Sequence, residues 1–272
     1  MLARGAGVEA RLKPVPWWVR VVLLIAAAQA LLLLAALVDP VQVKLLVPWP
    51  ASPLNARFIA ALYVSLGAGV AAAAFARTFV EVRIVLVGIG IATVLLLALT
   101  FLRMATHPGE LETFPLFWVV FYIIDPLLVA AVFWRLGWGE QKTSPSRRPP
   151  ATWLWLGQAA VFGIAGLVLL VAPDVARSLW PWAMTEPQAQ IYSAFFLTLS
   201  ATGLLAFRET RWEGVRIVVA MVVLLSLLVM VVSAIHLPRF TRPGATATWF
   251  TVFAVEALAF GALFVTRTLR RT

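Results

Sequence analysis

Eight long apolar runs separated by short polar stretches dominate the chain, near Trp17–Val38, Ala56–Ala76, Val82–Leu102, Phe114–Arg135, Thr152–Val171, Ala189–Phe207, Val215–His236 and Thr246–Thr266. Each is close to the roughly 20 residues a helix needs to cross about 30 Å of hydrocarbon at about 1.5 Å per residue. The runs are continuous, without the apolar and polar alternation of a membrane barrel, so the pattern predicts helices. The expected fold class is all-α: a polytopic membrane bundle of eight transmembrane helices, built as two parallel four-helix repeats.

The repeat shows when the second half is laid on the first at the offset that sets Arg83 on Arg216. Pro40 then falls on Pro173, Lys44 on Arg177, Pro48-Trp49 on Pro181-Trp182 and Asn55-Ala56 on Gln188-Ala189. Val82-Arg83-Ile84-Val85 falls on Val215-Arg216-Ile217-Val218 in the same register. One register held over this distance points to duplication. A unit of four spans returns to its starting side, so both copies insert alike and are expected to be related by an axis along the membrane normal. The Pro-, Ser- and Arg-rich stretch Gly137–Pro150 reads as the linker between them. The expected division is a tail over 1–16, a first repeat over 17–136, a linker over 137–151 and a second repeat over 152–272.

Composition agrees. Over 272 residues, 62% of positions are apolar and 12% charged, and mean hydropathy is +0.94, outside the range of soluble domains. The net charge of +10 suggests nucleic acid until its placement is read. Of the 22 Lys and Arg residues, only Lys44, Arg57, Arg103, Arg177, Arg239 and Arg242 fall on one side of the alternating loops. The rest fall on the side of both termini, which makes that side cytoplasmic by the positive-inside rule. No nucleic-acid partner is expected; membrane lipids are, with a protein partner or second copy as a further candidate. The Arg-over-Lys bias and the Ala, Val and Leu content read as high-GC bacterial coding, hence an inner (plasma) membrane location. The first run is too long for a signal-peptide core, so it reads as a retained span.

The absence of cysteine excludes disulfides, thiolate metal sites and thiol nucleophiles, and no cofactor is expected. No lysine lies inside a predicted span, which excludes a retinal Schiff base, and no phosphate-binding loop or nucleophile elbow occurs. An enzyme is therefore not the expected reading. His107 and His236 stand at outer span ends without further ligands and read as interfacial. The Pro-Trp pairs read as headgroup anchors in preference to caps over a cavity, and Trp17, Trp18, Trp134, Trp138, Trp153, Trp155 and Trp212 read as an aromatic belt.

Two carboxylates remain at depth. Trp118, Tyr122 and Asp125 in the fourth run match Trp249, Phe253 and Glu256 in the eighth, each trio on one helical face. Asp125 lies about 17 Å into its run at about 1.5 Å per residue. A charge there costs about 2.5–3.5 kcal/mol, so both acids are expected to rest neutral and to exchange protons where water reaches them. The alternative is a structural acid bonding a neighbouring helix, or backbone freed by Pro126. Arg57 is the nearest cation, although snorkelling to the outer interface is its simpler role.

The leading functional expectation is a small carrier or proton-linked permeability protein. Its pathway would run between the repeats, lined by Asp125, Glu256, Tyr122, Trp118 and Trp249. The rival is a non-catalytic membrane subunit or scaffold that binds protein or lipid through its outer loops. A lipid-modifying membrane enzyme ranks last.

Overall fold

The computed structural model describes residues 13–42, 51–106, 116–138 and 151–269. Among them, eight helices are long and apolar enough to cross a membrane. They are span 1 (Trp17–Val38), span 2 (Pro53–Ala74), span 3 (Phe79–Thr106), span 4 (Leu116–Leu136), span 5 (Thr152–Val171), span 6 (Glu186–Arg208), span 7 (Trp212–Ile235) and span 8 (Pro243–Leu269). No β-strand occurs among the described residues. Lys44, Pro48, Trp49, His107, the tail to residue 12 and the linker over 139–150 lie outside them.

Several helices start earlier than their apolar runs, because polar side chains supply the partners that the first-turn N–H groups need. Span 2 begins at Pro53, with Ser52 Oγ accepting from the Asn55 N–H at 3.3 Å. Ahead of span 6, Gln188 Oε1 accepts from the Thr185 N–H at 2.9 Å, and ahead of span 3, Glu81 Oε1 accepts from the Thr78 N–H at 3.0 Å. Hydropathy alone does not register such caps. Span 1 is also not one straight helix: it runs Trp17–Leu31, turns at Leu32 and Leu33, and resumes over Leu34–Val38.

Consecutive spans pack in pairs: 1 on 2, 3 on 4, 5 on 6 and 7 on 8. The pairs join through span 2 on span 7, span 3 on span 6, and span 3 on span 7. Spans 2 and 6 are the inner helices, with 72% and 61% of their apolar windows buried, against 28% for span 4 and 22% for span 8. The outer helices leave apolar faces for lipid. Spans 5 and 6 approach closely at Gly166, where a Cβ would stand 3.0 Å from the Leu197 backbone nitrogen, so a small residue there allows the contact.

Both ends of the bundle are tied by polar groups that cross between the halves. At the end carrying residues 13–16 and the start of the linker, here the basic end, Arg83 pairs with Glu209 and Arg216 with Glu81. Arg83 also donates to the Trp138 carbonyl at 3.1 Å. Arg20 caps span 2 through the carbonyls of Ala74 and Ala76, at 2.7 and 2.8 Å.

At the opposite end Asn55 is buried, and its Oδ1 accepts from Trp182 Nε1 at 2.7 Å and Tyr192 OH at 2.8 Å. This corrects the reading of Trp182 as a headgroup anchor. It is only 1% exposed and packs among Phe58, Trp180, Phe240 and Trp249. With its indole N–H satisfied by Asn55, the ring is buried without an unmet donor. Trp155 likewise leaves the proposed belt: it faces inward against Phe260, 4.6 Å between ring centres, while Trp153, two residues earlier on the helix, is exposed.

Candidate functional site

A cavity of about 90 Å³ lies where spans 1 to 4 meet spans 6 and 7. Span 4 contributes one face to it, with Trp118, Tyr122 and Asp125 all buried. Tyr122 OH and Tyr63 OH of span 2 are 2.8 Å apart, one donating to the other. Trp118 stacks on Tyr122 at 5.7 Å between centroids, and Phe195 of span 6 meets Tyr63 edge-on at 4.9 Å. Gln29 of span 1 donates through Nε2 to Asp125 Oδ1 at 3.5 Å, a long bond and the one that Asp125 makes among the described residues.

The remaining walls are apolar or present methyl groups. Thr198 and Thr202 line the cavity, but their hydroxyls donate to the carbonyls of Ala194 and Thr198 in their own helix, at 2.7 and 2.9 Å. A mostly apolar chamber with a few convergent polar groups has the lining of a small-molecule site, at a volume well below the roughly 300–1,000 Å³ such sites usually occupy. Its volume has room for several waters. Among the described residues no cation pairs with Asp125, so its charge state depends on protons and on what enters the cavity.

Glu256 sits elsewhere. Its Oε2 accepts from Ser226 Oγ of span 7 at 2.8 Å, and it lines a separate groove between spans 5 and 8. The structure thus puts Asp125, Tyr122 and Trp118 on one cavity and Glu256 on another. Trp249 lines neither. Its Nε1 donates to Ser233 Oγ at 2.9 Å, and its ring packs on Phe58 and Trp182 at 5.5 and 4.9 Å in the opposite-end cluster.

Arg57 also lies at that end, away from Asp125. It donates to the carbonyls of Leu37 and Val38 at 3.0 and 3.1 Å, and to His236 Nε2 at 3.0 Å. It closes the last turn of span 1 and reaches across to the end of span 7. Burial, then the positive charges of Arg57 and Arg239, hold the His236 imidazole below its ordinary value. Pro126 does not break span 4, which runs helical through it.

Sequence reasoning missed Gln29 and Tyr63 beside Asp125, and Gln158 beside Glu256. A lone amide inside an apolar run was a usable signal for both glutamines. Their spacing to the following Pro40 and Pro173 differs, so a gapless overlay of the halves does not align them. Glu81 and Glu209 were missed as partners of Arg83 and Arg216 because only the packing of spans 3, 6 and 7 brings them together. Among the described residues, no three His, Asp or Glu side chains gather where they could hold a metal.

Fold and site together define a class: a multi-pass helical membrane protein with a buried acid on an internal cavity. Set against protein-family models, curated proteins and solved structures, the chain matches none.

Proposed function

We propose that this protein is a small proton-linked carrier or permeability protein of a bacterial inner membrane, with Asp125 as its proton-exchanging group. One observation carries the reading: Asp125 stands on a cavity between the two halves, beside Gln29 and the Tyr63–Tyr122 pair. Protonation changes what such a group offers. An ionised carboxylate only accepts hydrogen bonds, whereas the neutral acid also donates one, so proton uptake and solute binding are coupled at one atom. The paired tyrosine hydroxyls extend the chain of exchangeable protons away from the acid.

The two halves fit a parallel repeat. The main packing partners are unchanged when spans 1 to 4 are exchanged with spans 5 to 8, since span 2 on span 7 becomes span 6 on span 3. A site at the interface of such repeats is where rocking of one half against the other alternates access. The crossed ion pairs at the basic end and the Asn55 cluster at the opposite end are the contacts such a motion would exchange. The basic end is the cytoplasmic one by its Arg and Lys content.

The test is proton flux into liposomes that hold the full-length protein and an internal pH dye, with membrane potential clamped. Wild-type protein should carry flux above empty liposomes, and Asp125→Asn should lower it at least tenfold while keeping the fold. Equal flux in a folded Asp125→Asn variant overturns the reading. So does wild-type flux no higher than in empty liposomes, which would favour the membrane-subunit alternative.

A further inference from the structure

Spans 5 and 8 leave between them a groove of about 360 Å³ that shares no lining residue with the Asp125 cavity. Its rim carries Trp153, Val161 and Val255, which are 70%, 47% and 58% exposed. These side chains would face lipid, so the groove opens sideways into the bilayer. Its walls are apolar, from Phe162, Val252 and Phe260, with two polar side chains at its floor.

Those two are Gln158 and Glu256, each 7% exposed. Gln158 Oε1 is buried and has no hydrogen-bond partner. Glu256 uses Oε2 to accept from Ser226, and its other oxygen has no partner among the described residues. A buried carbonyl without a donor is rare in folded proteins and calls for an explanation. Here the side chain that carries it lines a chamber large enough to admit one.

We propose that this groove is a lateral binding site for a membrane-dissolved single-chain amphiphile with a neutral, hydrogen-bond-donating head, a long-chain alcohol or a protonated fatty acid. With the Gln158 amide turned toward the groove, the hydroxyl donates to its Oε1 and stays within reach of Glu256, while the chain lies along Val161, Phe162 and Val255. The chemistry follows from the lining. The unpartnered Gln158 Oε1 at the floor calls for a donor, and no cation lines the groove to hold an anionic head. An ammonium head would have to be stripped of water at this depth. The volume sits near the lower end of the roughly 300–1,000 Å³ typical of small-molecule sites, which suits one chain and not two. The site is independent of the proton-exchange reading.

The experiment uses the full-length protein in phosphatidylcholine liposomes and hexadecanol bearing a diazirine in its chain. After illumination, labelled peptides are located by mass spectrometry. Label is expected on the span 5 and span 8 peptides that hold Val161 and Val255, displaced by unlabelled hexadecanol and not by hexadecane. Gln158→Leu should cut that label at least fivefold; it removes an unpartnered acceptor, so folding is not threatened. Val161→Trp, which fills the groove from its exposed rim, should cut it similarly. The proposal is overturned by label spread evenly over all lipid-facing spans, by equal displacement with hexadecane, or by undiminished label in both variants. Complete absence of label also overturns it, as would follow if a partner helix already filled the groove.

Discussion

Arg83, at the start of span 3, is ion-paired with Glu209, at the end of span 6, and their side chains are 2% and 5% exposed. A charge pair this buried is held by mutual need. Removing one partner leaves the other ionised with neither water nor counter-charge, which typically costs about 3–5 kcal/mol. Glu209→Gln is therefore expected to lower unfolding free energy by about that much in detergent. Arg216→Gln should cost less, because the Glu81 it leaves behind keeps hydrogen bonds from the Thr78 N–H and hydroxyl, both at 3.0 Å, and because Arg216 itself is 44% exposed. Denaturant titrations of both variants give the comparison, and equal losses would contradict it.

Asn55 offers a second stability test. Asn55→Leu strips the acceptor from both Trp182 and Tyr192. Each orphaned donor costs about 1–3 kcal/mol, so the variant should unfold at clearly lower temperature. Asn55→Gln, with the same amide on a longer stem, should fall between the two. Thermal unfolding followed by light scattering checks the order.

The tyrosine pair makes a prediction of non-additivity. Tyr63→Phe or Tyr122→Phe alone leaves one buried hydroxyl without its partner, whereas the double variant leaves none. The double variant should be more stable than the sum of the single losses implies, with a coupling of about 1–2 kcal/mol. A coupling of zero would show that the two hydroxyls do not bond.

The Arg57–His236 contact sets a pH dependence. Arginine only donates, so the ring nitrogen that meets it accepts and the imidazole is neutral there. Because the folded value lies below the ordinary 6.5, the unfolded chain takes up the proton first. The contribution to stability is complete above 6.5 and falls as pH drops below it towards the lowered folded value. His236→Asn should flatten the fall measured between about pH 5 and 7. A wild-type profile no steeper than that of the variant would remove the contact from the account.

Orientation is tested by reporter fusions after Arg148 and after Thr272. Both should give cytoplasmic activity, since the basic loops alternate consistently. A periplasmic signal from either would break the assignment.

The bundle was legible in the sequence because hydrocarbon thickness dictates run length, and a continuous apolar run of that length leaves the backbone one solution. Span ends were less so, since Ser52, Glu81 and Gln188 act through single hydrogen bonds that an averaged hydropathy does not weigh. At the site, depth and helical face placed Asp125 with Tyr122 and Trp118. Which spans adjoin them depends on packing between distant segments, and so Tyr63 and Gln29 were not visible. The same gap hid the separation of Glu256 from Asp125, because a shared face on matched helices does not say which neighbour that face meets. Trp182 carried an interfacial signature, and only its bond to Asn55 turns it inward.

The pairing of Arg83 with Glu209 also bears on how the chain is made. The two residues are 126 positions apart, and synthesis at about 5–20 residues per second puts roughly 6–25 seconds between them. For that interval span 3 has entered the bilayer while its intended counter-charge has not yet been translated. Arg83 must wait among water and lipid phosphates at the membrane surface, and it can be drawn under cover only after span 6 emerges.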